Sequence, residues 1–422
     1  MANIVIQIKA QIKNMAKRVL SSPLYARLLH DGDMLTARLA KRRTKTSPTL
    51  DRDFTLVLAP SGHGNLGDQA MFESCLDNIS GPKTAILDSA DALLIPEGMR
   101  EETTVVVLPR AISGLPVARI PDVLAFSVLA AKAKNVVLPG ADTMDGGGNP
   151  SASHARVSLM RLASFMGANT RILGFSWPPR VSPPLAQRLA KTSEFVSVFA
   201  RDPESHRRLL RDGVRASLVS DIVFTSVNVS KPPVDIVEYV HRRSAEGEKF
   251  VILNCSGLIA RRKDLREEYK KIVRYLQNVD YRVVFLPHVI RDWDDDLSVC
   301  REIYNEVGSQ DDLLVSERLV PSQVRWLTSA AHLTVTGRMH LAIQSFSKGT
   351  PAITLATSGK VEGLYELLGL EIGCVSPDAS VAHEVAATME VWTSEASNLE
   401  ATLRDSVATA QSMSKLNFAG LG

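Results

Sequence analysis

From residue 51 onward, short β-branched runs alternate with helical stretches, and few folds accommodate that pattern. The first set is FTLVLAP (54–60), TAILD (84–88), TTVVVLP (103–109), NVVLP (135–139), TRILGFS (170–176), FVSVFA (195–200) and ASLVSD (216–221). The second is FVILNCS (250–256), YRVVFLP (281–287), DLLVS (312–316), HLTVT (332–336) and PAITLAT (351–357). Runs of this kind separated by helices build parallel sheets covered by helices. Between the sets, VNVSKPPVDIVEYVHRRSAEGEK (227–249) carries a Pro pair and a run of charge, and reads as an interdomain linker. With 422 residues there is room for two domains. The expectation is an α/β protein with an N-terminal domain over 51–226, a C-terminal domain over 250–390 and a helical segment over 391–422. Two such domains enclose a central cleft at the carboxyl ends of their strands, where these folds bind ligands.

Composition removes several classes of function. The 49 basic and 46 acidic residues nearly balance, which argues against a nucleic-acid binder. Cys75, Cys255, Cys300 and Cys374 show no CxxC spacing, so neither a zinc site nor a disulfide framework is indicated, and a reducing compartment fits. No segment approaches the roughly 18 apolar residues of a membrane-spanning helix. The start of the chain is different in character. Ile4, Ile8, Ile12, Met15 and Val19 follow helical spacing, with Lys9, Lys13 and Lys17 mostly off that stripe. Across residues 1–50 the basic residues far outnumber Asp31 and Asp33. Two readings stand: peripheral contact with an anionic membrane surface through residues 1–45, or an accessory helix on the first domain.

Five stretches carry candidate chemistry. In SGHGNLGDQAM (61–71), Gly62, Gly64 and Gly67 permit a sharp turn and a close approach of backbone to a ligand, with a helix N-terminus behind them. Asp68 reads as a helix cap or as part of a ligand site. LPGADTMDGGGNP (138–150) is a second glycine loop after a strand. FARDPES (199–205) sets Arg201 at a strand end, as a surface cation or an anion ligand, and Asp202 at a helix start. His288 follows the strand in VVFLPHVIRDWDDD, whose acidic run suits a helix dipole. In TVTGRMHLAIQSFSKGTPAITLATSGK (334–360), Arg338 offers a planar fork for phosphate or carboxylate, and His340 sits in a helix first turn. Lys360 falls after the next strand, at the same end of the sheet.

Taken together, GHGNLGDQA, DGGG, ARDPES, SDIVF, GRMHLAI and KGTPAITL…K resemble, in order and interval, the polysaccharide pyruvyltransferase family over roughly residues 54–370. The resemblance implies two Rossmann-like domains of GT-B type, acceptor side first and donor side second. It also implies transfer of the enolpyruvyl carbons of phosphoenolpyruvate to two hydroxyls of a sugar, forming a pyruvate ketal. The family's Arg-Asp motif falls on Arg201 and Asp202, its Arg-x-His motif on Arg338 and His340, its Asn-x-Gly-Asp motif on Asn65, Gly67 and Asp68, and its late lysine on Lys360. On that basis His340, Arg338 and Arg201 are the expected catalytic residues. Asn65, Gly67, Asp68, Asp202, His288 and Lys360 are the expected substrate contacts. No metal and no cofactor beyond phosphoenolpyruvate as donor is called for. The implied setting is a cytoplasmic enzyme acting on a lipid-linked glycan acceptor in exopolysaccharide or cell-envelope synthesis. A nucleotide-sugar glycosyltransferase of GT-B type and a non-catalytic glycan-binding relative are the alternatives.

Overall fold

Each quoted β-branched run contains a strand, and all of these strands run parallel within two sheets. The computed structural model describes residues 19–20, 22–44, 53–141, 143–144, 146, 149–261, 263–292, 294–356 and 359–421. Most of the stripe read at the start of the chain, and Asp145, Gly147 and Gly148 of the second glycine loop, lie outside the described residues. Two compact units emerge: Met1–Ser61, Cys75–Val219 and Asn417–Gly422 form the first, Gly62–Ser74 and Ser220–Leu416 the second.

In the first unit, β1 (Thr55–Leu58), β2 (Lys83–Leu87), β3 (Thr103–Val107), β4 (Asn135–Leu138), β5 (Asn169–Phe175), β6 (Ser197–Ala200) and β7 (Ser217–Leu218) form one sheet in the order β3-β2-β1-β4-β5-β6-β7. Helices of this half include α1 (Pro23–Thr44), the last residues of α2 (Leu66–Asp77), α3 (Ile120–Lys132), α4 (Pro150–Met166), α5 (Pro183–Thr192) and α6 (Pro203–Arg211). The strands are apolar on both faces because helices cover both sides. Leu56, Leu58, Val136 and Ile172 pack with Phe126, Leu159 and Trp177 in one core. Helix α1 packs on α3 and α4. Its inner face carries Asp33, which accepts from Arg119 Nη1 (3.2 Å) and Nη2 (3.1 Å), with both side chains buried.

The second unit repeats the plan. Strands β8 (Lys249–Asn254), β9 (Tyr281–Phe285), β12 (Leu313–Leu314), β13 (Leu333–Thr336), β14 (Ala352–Leu355) and β15 (Cys374–Val375) lie in the order β12-β9-β8-β13-β14-β15. Both sheets therefore set their first strand beside their fourth, which is where an open α/β sheet reverses direction. A two-residue hairpin, β10 (Ile290–Arg291) with β11 (Asp294–Asp295), follows β9. Residues 227–249 are more than a linker. Their VDIVEYVHRR core forms α7 (Val234–Ala245), whose apolar spacing buries Ile236, Tyr239 and Val240 against β8 and β9. Further helices include α8 (Arg266–Asn278), α9 (Asp296–Val307), α10 (Pro321–Ala330), α11 (Met339–Phe346), α12 (Gly359–Leu368), α13 (Val381–Ser394) and α14 (Ala396–Lys415).

The unit boundaries differ from the sequence reading at two places. The glycine loop 62–74, expected with the first domain, joins the second unit, because Leu66 is buried with Ile252, Val284 and Leu341. The last residues, read as part of a terminal helical segment, join the first unit: Asn417 Oδ1 accepts from Gly174 N (2.8 Å), and Leu421 O accepts from Asn135 Nδ2 (3.0 Å).

Candidate functional site

Strands β8 and β13 are the pair at which the second sheet reverses, and their carboxyl ends hold a connected polar network. Asn254 closes β8 opposite Thr336 at the end of β13. The Thr336 hydroxyl donates to Asn254 Oδ1 (3.2 Å) and accepts from the Arg338 backbone N–H (2.9 Å). Gly337 between them can carry no side chain, since a Cβ there would stand 2.6 Å from both Ile259 Cδ1 and Ser256 Cβ. The turn out of β13 is thus fixed by packing and hydrogen bonds together.

The Arg338 guanidinium is held by two carboxylates. Its Nε donates to Asp296 Oδ2 (3.1 Å) and its Nη2 to Asp296 Oδ1 (2.5 Å). Its Nη1 and Nη2 donate to Asp294 Oδ2 (3.0 Å) and Oδ1 (2.6 Å). Burial disfavours the charge on Arg338, but Asp296 and Asp294 outweigh it and raise the guanidinium above its ordinary value. Asp296 is fully buried and accepts in addition from Asn254 Nδ2 and from the backbone N–H groups of Gly257, His288 and Val289. Burial pushes its carboxyl up, yet Arg338 and these donors pull it below the usual range. The fork expected to grip a substrate anion is, in this geometry, engaged with protein carboxylates. Asp294 and Asp296 escaped the sequence reading because an acidic run at a helix start already has a local explanation. Asp295 fills that local role, capping α9 through Leu297 N (3.0 Å).

His340 stands in the first turn of α11 between two groups. Its Nε2 faces Asp221 Oδ2 at 3.5 Å. Its Nδ1 faces Gly67, where a Cβ would collide with the ring. Asp221 is itself buried and fixed, accepting from Val223 N through Oδ1 (3.0 Å). It was visible in the sequence only as part of SDIVF, without an assigned partner. Gly67 is presented by the loop before α2. Gly64 (φ 86°) lies against the Ile290 carbonyl, and its own carbonyl accepts from Ile290 N (3.0 Å). His288 O accepts from Leu66 N (3.1 Å), and Asn65 Oδ1 caps the helix through Gly67 N (2.9 Å). The N-terminal turns of α2 and α11 thereby meet at Gly67 and His340. Two helix N-termini in contact create a region that favours an anion.

The other expected residues are distributed as follows. Asp68 lies in the first turn of α2. Lys360 lies in the first turn of α12, after β14, next to β13 in the sheet. His288 is buried, and burial lowers its imidazole to about 3, so the ring stays neutral at ordinary pH. Its main chain, more than its side chain, serves the network. Arg201 and Asp202 belong to the first unit. Arg201 directly follows β6 and donates from Nε to Ser176 Oγ (2.8 Å). Asp202 caps α6, accepting from Ser205 N (2.7 Å), Ser205 Oγ (2.7 Å) and Ser176 Oγ (3.0 Å). Burial raises its carboxyl. These bonds spend the Asp202 side chain on the helix start.

The family model for polysaccharide pyruvyl transferase matches residues 40–359, a span that holds the glycine loop, Arg201, Asp221, Arg338 and His340. The chain belongs to that family. No curated protein matches this family member significantly by sequence. Among solved structures it is similar to a glycosyltransferase from Rickettsia africae, at 10% identity over 87% of this chain and 96% of that one, with a TM-score of 0.54. A structure from E. coli described as trehalose-6-phosphate bound with UDP-2-fluoro glucose aligns at 11% identity over 87% and 98%, with a TM-score of 0.53. UDP-GlcNAc 2-epimerase from Neisseria meningitidis, bound to UDP-GlcNAc, aligns at 10% identity over 86% and 97%, with a TM-score of 0.52. Identities this low speak to the fold, which is GT-B-type α/β. No helix among the described residues is long and apolar enough to cross a membrane.

Proposed function

We propose that this pyruvyl transferase moves the enolpyruvyl group of phosphoenolpyruvate onto two hydroxyls of a sugar in a lipid-linked glycan, forming a pyruvate ketal for exopolysaccharide or cell-envelope synthesis. The single observation that carries the reading is the Asp221–His340–Gly67 contact at the meeting of two helix N-termini. It combines a held imidazole with a region suited to an anion. In the proposed course, an imidazolium at His340 gives its proton to C3 of the donor, leaving an oxocarbenium centre at C2. One sugar hydroxyl adds to C2 and yields its proton to the ring. The C2–O bond to phosphate then breaks, and the second hydroxyl closes the ketal as its proton passes to the departing phosphate. Proton transfer by a positioned side chain contributes about 10²–10⁴-fold.

Within this reading the helix N-termini and Lys360 receive the phosphate and carboxylate of the donor. Arg338 acts through its carboxylates, fixing the turn that presents His340. Asp221 orients the ring. Calorimetric titration tests the donor directly: phosphoenolpyruvate binds and a uridine diphosphate sugar does not. Tight binding of the nucleotide sugar, with none of phosphoenolpyruvate, favours a glycosyltransferase instead.

Gly67→Ala probes the same contact. The added methyl must displace the His340 ring, so turnover falls about 10²-fold. Stability falls by only about 1–3 kcal/mol, as overpacking usually costs. Steady-state kinetics alongside urea denaturation separates the two effects.

A further inference from the structure

Helix α1 has two faces with opposite commitments. The inner one buries Tyr25, Leu29, Asp33, Ala37 and Ala40 in the first unit. The outer one carries Leu24, Leu28, Leu35 and Leu39, exposed by 66%, 57%, 57% and 50%. At helical spacing these four fall within about 60° of arc, roughly opposite Asp33. Large apolar side chains gathered on one outward stripe mark a surface that something covers. Rotating the helix cannot bury them. It would carry the Asp33 carboxylate away from Arg119, leaving a fully buried guanidinium uncompensated.

Charge selects the occupant. Arg27, Arg38 and Arg42 are exposed beside the leucines, while Asp31 on that face pairs with Arg27 at 3.4 Å. A second copy docked through the same stripe would set arginines against arginines. An anionic lipid surface pairs with all of them and takes up the leucines.

We infer that α1 lies flat on an anionic lipid surface, with the Leu24–Leu28–Leu35–Leu39 stripe in the headgroup boundary and the arginine fringe on lipid phosphates. This surface is distinct from the Ile4–Val19 stripe of the sequence, and the inference is independent of the reaction proposed above. The test uses the full chain and vesicles of phosphatidylcholine alone or mixed with phosphatidylglycerol. Wild-type protein sediments with the mixed vesicles only, and less so in high salt. The double variant Leu28→Glu/Leu35→Glu loses at least about tenfold in bound fraction, with an unchanged melting temperature. Absence of wild-type binding, equal binding to both vesicles, or equal binding by the variant overturns the inference. A lower melting temperature in the variant also overturns it, because the stripe is then covered from within the chain. So does a wild-type dimer in sedimentation velocity that the variant converts to monomer.

Discussion

Replacing His340 by Ala is expected to lower the rate of pyruvyl transfer by about 10²–10⁴-fold while the protein remains folded and still binds its donor. The imidazole is 13% exposed and packs against Gly67 on one side and Asp221 on the other. Truncation removes the ring without touching Asp296, Arg338 or Asn254, so the network that shapes the turn survives. Asp221→Asn gives a smaller loss, because the ring is still present and only its orientation is relaxed. The KM for phosphoenolpyruvate stays within a few-fold in both variants if the ring moves protons and the backbone holds the donor. A His340→Ala enzyme that turns over at the wild-type rate removes the imidazole from the mechanism. Equal losses in turnover and donor affinity assign it to binding instead.

Asp296→Ala has the largest expected effect on folding. The carboxylate takes two bonds from Arg338, one from Asn254 and three from backbone N–H groups, the last four of them buried. Its removal leaves a mostly buried guanidinium with one partner carboxylate and three buried amide groups without acceptors. Breaking a buried pair from one side costs about 3–5 kcal/mol, and unsatisfied donors add to that. Asp296→Asn keeps the shape and part of the bonding, and loses less. The sign of the pH dependence follows from the lowered carboxyl of Asp296. Its contribution is complete above the unfolded value near about 3.9 and disappears as pH falls through the lower folded value. In chemical denaturation the wild type therefore loses this increment only below about pH 4, whereas Asp296→Ala shows the deficit at neutral pH. A change below about 1 kcal/mol at pH 7 contradicts the structural role assigned to the pair.

The strands were legible in the sequence because buried parallel strands read as apolar runs, and twelve such runs all became strands. The hairpin at Ile290–Asp295 and the short β15 were not read as strands. Helix α7 was hidden by the Pro pair and charges around it, although its apolar spacing was present. The switch-point residues were legible as candidates, and His340 stands in a setting that suits acid–base work. What the sequence withheld was pairing. Arg338 looked like an anion ligand because its partners, Asp294 and Asp296, lie more than forty positions away. Asp202 looked like a ligand for a similar reason, its partner Ser176 lying 26 positions away. Gly67 and His340 are hundreds of positions apart, and only the folded chain shows that one exists to make room for the other.

The central claim is that this transferase consumes phosphoenolpyruvate and that His340 moves the proton. A single-turnover reaction with phosphoenolpyruvate and lipid-linked glycan tests both, reading released phosphate and the mass of the glycan in the same samples. The account predicts one phosphate released for each pyruvyl group gained by the glycan, and neither from the His340→Ala enzyme. Glycan extended by a sugar with release of a nucleoside diphosphate, phosphoenolpyruvate remaining intact, would contradict it.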